Sequence, residues 1–231
     1  MRTRSTLRTA LIMLVAAGLL WAAEPWKEKP YTAWTQKDVE KIAQDSPWAH
    51  LVAVLGAGAP GESAIARSEV SGTAPLSDAS SGPQGGVKYL VQWASALTLR
   101  QARVRGAQLA GRENVEESAA ILAATPPYYI LVVAGPNLSA FDEMKEEGTK
   151  AASYLELKQS KKRIAPDAAQ FIRQGERLTQ VIVFFPREAE ATPLIGPTES
   201  KVEFHSRVGK SDLEAGFDLR KMVTQDGKPD L

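Results

Sequence analysis

The chain has 231 residues, 44% hydrophobic and 24% charged, with 28 Lys and Arg against 27 Asp and Glu. This is ordinary globular composition, enough for one domain with a substantial core. The balanced charge leaves no basic surplus for nucleic-acid phosphates, and the absence of cysteine excludes disulfides, thiolate catalysis, lipid-modified cysteine and sulfur-ligated metals.

Residues 1–23 read as a signal peptide. Arg2, Arg4 and Arg8 precede an apolar run from Ala10 to Ala23, which ends in small residues and is shorter than the roughly 20 residues of a spanning helix. A retained N-terminal anchor is the competing reading, and it too leaves the body outside the inner membrane. Export to the periplasm, cell envelope or exterior is therefore expected, with membrane contact only through this segment if it is uncleaved. Losing it removes three arginines and no acid, taking the formal charge from +1 to −2.

Residues 24–55 read as an arm, a capped helix and a first strand. Thr35 is an N-cap with Asp38 three residues on, a short-armed capping box, and Trp34 with Val39 occupies the positions of a hydrophobic staple. Ser46-Pro47 ends the helix, and Trp48 to Leu55 reads as a buried strand. In residues 56–87, Gly, Ala, Ser and Pro fill 22 of 32 positions with no aromatic, which predicts a long flexible loop, read as an inert insertion in preference to a functional flap.

Residues 88–231 form the main body, one domain together with 24–55. Val87, Tyr89, Val91 and Trp93 alternate as a strand; Leu97–Ala110 and Glu116–Ala124 read as helices; Tyr128–Val133 is the candidate central strand. Ser139 with Asp142 predicts a second capped helix to about Gly148, Ala152–Lys158 a strand, and Pro166 to about Arg173 a short helix. Leu178–Phe185, Lys201–Val208 and Leu213–Val223 close the chain as strands, the last two joined through Gly209-Lys210-Ser211. The order predicts an α+β fold with a mixed, mostly antiparallel sheet and helices on one face.

Motifs for chemistry are few. Gly56-Ala57-Gly58-Ala59-Pro60-Gly61 matches a dinucleotide-binding turn, but no second apolar strand follows, so it reads as a loop cluster and no cofactor is expected. His50 and His205 lack metal-ligand spacing and read as ordinary satisfied or exposed histidines. Aromatic crowding at Trp26, Tyr31, Trp34 and Trp48 suggests either a stapled arm or a stacking platform for sugars or peptides, the staple being favoured. Arg100, Arg103, Arg105 and Arg112 suggest either an anion grip or a solvated face paired with Glu113, Glu116 and Glu117, the paired face being favoured. The candidate binding residues are thus Trp34, Trp48, Tyr31, Arg100 and Arg103, with no catalytic, cofactor or metal residue.

Tyr31-Thr-Ala-Trp-Thr-Gln-Lys-Asp-Val-Glu-Lys-Ile42 and Asp45-Ser-Pro-Trp48 resemble the opening of uncharacterised exported bacterial proteins grouped with GWxTD-domain proteins. The similarity continues at Trp93-Ala-Ser-Ala, Arg100-Gln-Ala, Ile164-Ala-Pro and Phe217-Asp-Leu-Arg-Lys-Met-Val. Ala33 stands where that label has glycine, and Thr35 directly follows Trp34. The resemblance implies export and transfers no functional residue. The expected function is a non-enzymatic binding or envelope-associated module; a hydrolase using paired acidic residues is the alternative, since such pairs meet only in space.

Overall fold

The computed structural model describes residues 24–54 and 86–231. The signal segment, the glycine cluster and all but the last two residues of the expected loop lie outside them. Among the described residues no helix is long and apolar enough to cross a membrane.

The fold is α+β. A short helix α1 (Pro25–Glu28), a 3₁₀ turn (Tyr31–Ala33) and α2 (Gln36–Gln44) lead into β1 (Ala49–Val54). The capping box forms as expected: Asp38 N–H donates to Thr35 Oγ1 at 3.3 Å, and Thr35 N–H donates to Asp38 Oδ2 at 2.7 Å. Trp34 and Val39 are both buried, as a staple requires. Then come β2 (Val87–Trp93), α3 (Leu97–Leu109), α4 (Val115–Ala123), β3 (Tyr128–Ala134) and α5 (Ser139–Ala151). The remainder is β4 (Tyr154–Leu157), β5 (Arg163–Ile164), β6 (Ala168–Gln174), β7 (Arg177–Pro186), β8 (Glu188–Ala189), β9 (Thr192–Pro193), β10 (Lys201–Val208) and β11 (Ser211–Asp218).

The strands divide between a five-stranded sheet, β1-β2-β3-β7-β6, a four-stranded sheet, β11-β10-β4-β5, and a two-stranded β8-β9 ribbon, and every pairing is antiparallel. As its β-branched and aromatic run predicts, β3 is central to the larger sheet. The sheets share one core: Trp93 of β2 meets Phe217 of β11 at 5.1 Å, and Phe185 of β7 meets Phe204 of β10 at 6.1 Å, all four fully buried. Alternation delivers these side chains, since period-2 patterning in β2, β10 and β11 sends one face inward. Gly209, at φ 63°, makes the two-residue β10–β11 turn.

The last strand, expected to reach Val223, ends at Asp218, where the Lys221 and Met222 amides bond back to Asp218 and Leu219 and turn the chain. Three further expectations are corrected. The segment after Pro166 is the strand β6, because Gly175 at φ 60° turns the chain back and pairs Ala168–Gln174 with β7; tertiary pairing overrides the helix propensity of Ala168-Ala169-Gln170. β1 is an edge strand with Leu51 45% exposed, because only β2 pairs with it. Asp142 does not cap α5. Asn137 Oδ1 accepts from Ser139 N–H at 3.0 Å, and Asp142 instead forms a two-bond pair with Arg173 of β6 at 2.5 and 3.1 Å. The α5 path is broken at Lys145 (φ 60°, ψ 179°), and the next residue, Glu146, accepts from the Phe171 N–H of β6 at 3.0 Å.

A long-range cap fixes α3. Its N-cap residue, Ala96, has no side chain to offer the free amides, and the Asp230 carboxylate takes their place, accepting from Leu97 N–H at 2.5 Å and Thr98 N–H at 2.9 Å. The Asp230 carbonyl accepts from Trp48 Nε1 at 2.8 Å, and its own N–H donates to Met222. Arg187 donates to the main-chain oxygen of Leu231, its guanidinium lying 4.6 Å over the Tyr129 ring.

Asp230→Ala should destabilise the fold by about 1–3 kcal/mol, the cost of leaving buried amides unsatisfied, with Asp230→Asn losing less. Trp34→Ala should cost about 3–5 kcal/mol, since the indole is enclosed. Urea denaturation measures both; an unchanged midpoint for either variant contradicts its structural role.

Candidate functional site, an aromatic cleft beside the arm

The arm folds over the first turn of α3 and faces the loop at residues 223–229, which is closed by the Val223–Pro229 bridge. Between them lies a cleft of about 440 Å³, within the roughly 300–1,000 Å³ of small-ligand sites. Trp26, Tyr31 and Trp34 form its aromatic side. The two indoles are nearly enclosed and Tyr31 is only partly covered, so the phenol is the ring presented to solvent. Trp34 Nε1 donates to the carbonyls of Pro25 and Lys29, both at 3.1 Å, which curls the arm around the indole. Trp48 lies behind the cleft, fully buried and edge-on to Trp26 at 5.7 Å. Three of the four crowded aromatics therefore staple the arm, and one remains available.

The charges bordering the cleft are matched. Lys29 Nζ is 2.6 Å from Asp38 Oδ2; burial pushes the Asp38 carboxyl up, but the bonds from Lys29 and Thr35 outweigh it and hold the group below its ordinary value. Asp226 accepts from Thr224 and lies 2.7 Å from Lys228 Nζ, which together bring its carboxyl down to about 2. Of the uncharged polar groups, Thr224 is bonded to Asp226 and to the Lys228 carbonyl, and Trp26 Nε1 is buried without a partner. Tyr31, Thr98, Gln101 and Gln225 line the cleft, and their side chains make no hydrogen bond among the described residues.

The expected arginine cluster does not assemble. Arg100 caps the last turn of α4, its Nη1 donating to the carbonyls of Ile121 and Ala124 at 2.7 Å each, while its Nε donates to Ser95 O. Arg105 donates to Trp34 O at 2.9 Å, another tie between arm and α3. Arg103 is exposed and has no hydrogen bond or ion pair among the described residues. The expected pairing with Glu113, Glu116 and Glu117 is replaced by these carbonyl contacts, because the helix ends need donors more than the exposed glutamates do.

A second polar surface covers the outer face of the four-stranded sheet. Glu156 of β4 and Glu203 of β10 are direct cross-strand partners, and Lys158 Nζ bridges them at 3.1 and 2.9 Å. Lys158 holds the Glu156 carboxyl below its usual value; burial pushes Glu203 up, but Lys158 and Lys201 outweigh it and lower it too. A carboxylate-pair hydrolase needs one acid kept protonated, so a pair held doubly ionised is poorly set for that role. His205 stacks on Tyr154 at 4.6 Å, with Arg163 on the Tyr154 ring, and lies 3.6 Å from Glu203 and 3.5 Å from Glu214. The Nε2 atoms of both His50 and His205 are buried without a hydrogen-bond partner, while His50 bonds the backbone at Pro47 and His205 lies between two carboxylates. Among the described residues, no three His, Asp or Glu side chains converge as metal ligands.

No family model, curated protein or solved structure matches the chain.

Desolvation lowers the His50 pKa, and Asp38, Glu156, Glu203 and Asp218 are also lowered. A lowered folded pKa gives stability that is present above the unfolded value and lost as pH falls through the folded one. Stability should therefore decline on acidification below 6.5 through His50, and again below 4.5 through the carboxylates. His50→Phe should abolish the first decline in pH-dependent denaturation. Lys158→Met should reverse the local sign, since two facing carboxylates then repel: this variant should be relatively more stable at pH 5 than at pH 7, and a profile parallel to wild type would contradict the bridging role.

Proposed function

We propose that the chain is an exported, non-enzymatic binding or envelope-associated module that receives its ligand in the cleft between the arm and the 223–229 loop. One observation carries this reading: four polar side chains with unused hydrogen-bonding groups, Tyr31, Thr98, Gln101 and Gln225, line a single cleft whose charged residues are already paired. Free donors and acceptors beside an aromatic wall are the ordinary makings of a recognition site. Export rests on the basic and apolar pattern of residues 1–23, and the resemblance of the arm to exported bacterial proteins grouped with GWxTD-domain proteins agrees with it.

Thermal-shift screening of the purified chain against a panel of neutral, anionic and cationic small molecules tests the binding role. A stabilising ligand whose effect is lost in Tyr31→Ala and Gln101→Ala, and kept in Glu156→Gln and Glu203→Gln, is expected. Hydrolytic turnover that disappears in Glu203→Gln and survives the cleft substitutions would overturn it. Cell fractionation tests export separately: recovery of the full-length chain, Met1 included, from the cytosol contradicts it.

A further inference from the structure

Resting on the binding reading above, we infer that the cleft ligand is a neutral saccharide of one or two rings. Three observations narrow the class. The charges lining the cleft already have opposite-charge neighbours, Lys29 with Asp38 and Asp226 with Lys228, so the cleft offers an ionic ligand no unbalanced charge. Besides the indole N–H of Trp26, which is buried and donates only, the unclaimed groups are one phenol, one hydroxyl and two carboxamides, which can both donate and accept, as the hydroxyls of a sugar do. Tyr31 offers a partly exposed ring edge-on to Trp34 at 6.3 Å, an apolar surface for the C–H face of a pyranose.

An extended peptide is the competing occupant, and the setting fits it less well. Its main chain would seek a free strand edge, whereas this cleft is walled by α1, the 3₁₀ turn, the first turn of α3 and the 223–229 loop. A volume of about 440 Å³ also suits a compact ligand better than a running chain. Gln101 and Gln225 come from opposite walls, so they would grip the ring from two sides while Tyr31 covers one face.

Saturation-transfer NMR and titration calorimetry on the purified chain provide the test, using maltose, cellobiose and N-acetylglucosamine as neutral probes, galacturonate as a charged sugar and a proline-rich decapeptide as a chain. At least one neutral sugar is expected to bind, with affinity falling about tenfold or more in Tyr31→Phe/Gln101→Ala and in Tyr31→Ala, the loss of one or two good contacts. Arg103→Ala, outside the cleft, is expected to bind as wild type does. Circular dichroism melts of each variant separate lost binding from lost folding. Binding of the peptide or of galacturonate through the same residues, with the neutral sugars silent, overturns the saccharide assignment and leaves the cleft as the binding site. Sugar binding untouched by the cleft substitutions, or no binding by any probe alongside a screening ligand that maps elsewhere, overturns both.

Discussion

The Asp230 carboxylate meets α3 where Ala96 supplies no cap, and the placement of the whole N-terminal part follows from that contact. An uncapped helix end in the interior would leave buried amides without partners, so some acceptor had to arrive from elsewhere in the chain. It arrives from more than 130 positions away, and it brings a second bond with it, from the Trp48 indole to the carbonyl of the same residue. One residue thereby ties α3, the turn leading into β1 and the last described segment together. Trp26 packs on Trp48, and Arg105 holds the Trp34 carbonyl, so the arm is positioned by the same junction.

This junction also explains why a cleft exists. The arm curls around Trp34 through its bonds to Pro25 and Lys29, and Asp230 anchors the end of the 223–229 loop, so the two walls stand on either side of the cleft. Walls with uncommitted polar groups result. The outer face of the smaller sheet shows the opposite economy: there Glu156, Glu203, Lys158 and Lys201 satisfy one another.

Local signals in the sequence were legible where the physics is local. The Thr35–Asp38 box, the alternation of β2 and β11, and the β-rich run of β3 each act over a few residues, and each appears where the pattern places it. The errors share a cause in long-range partners. The helix expected after Pro166 became a strand because β7 was there to pair with it, and Asp142 left its expected cap for Arg173. Of the cleft, Tyr31 and Trp34 stood out as aromatics, whereas Thr98, Gln101 and Gln225 carry no pattern in the chain. Arg100 reads in the sequence as part of a solvated face paired with Glu113, Glu116 and Glu117, because its demand for carbonyls depends on where α4 ends in space. Only Asp230 had a readable counterpart, the missing cap before Leu97.

The break in α5 at Lys145 has a meaning for how copies of this chain behave together. β6 is the outermost strand of its sheet, and a bare strand edge is a template onto which another extended chain can add. The strand's own sequence offers little deterrent, with Ile172 exposed near its middle. Glu146, placed just after the helix break, occupies the outward Phe171 amide, and Arg173 is committed to Asp142 beside it. A second molecule pairing at the Phe171 amide would have to displace the Glu146 carboxylate. A helix side chain thus covers one amide of the β6 edge, and removing Glu146 alone would open that amide to another extended chain while leaving the Phe141 side of α5 in the core.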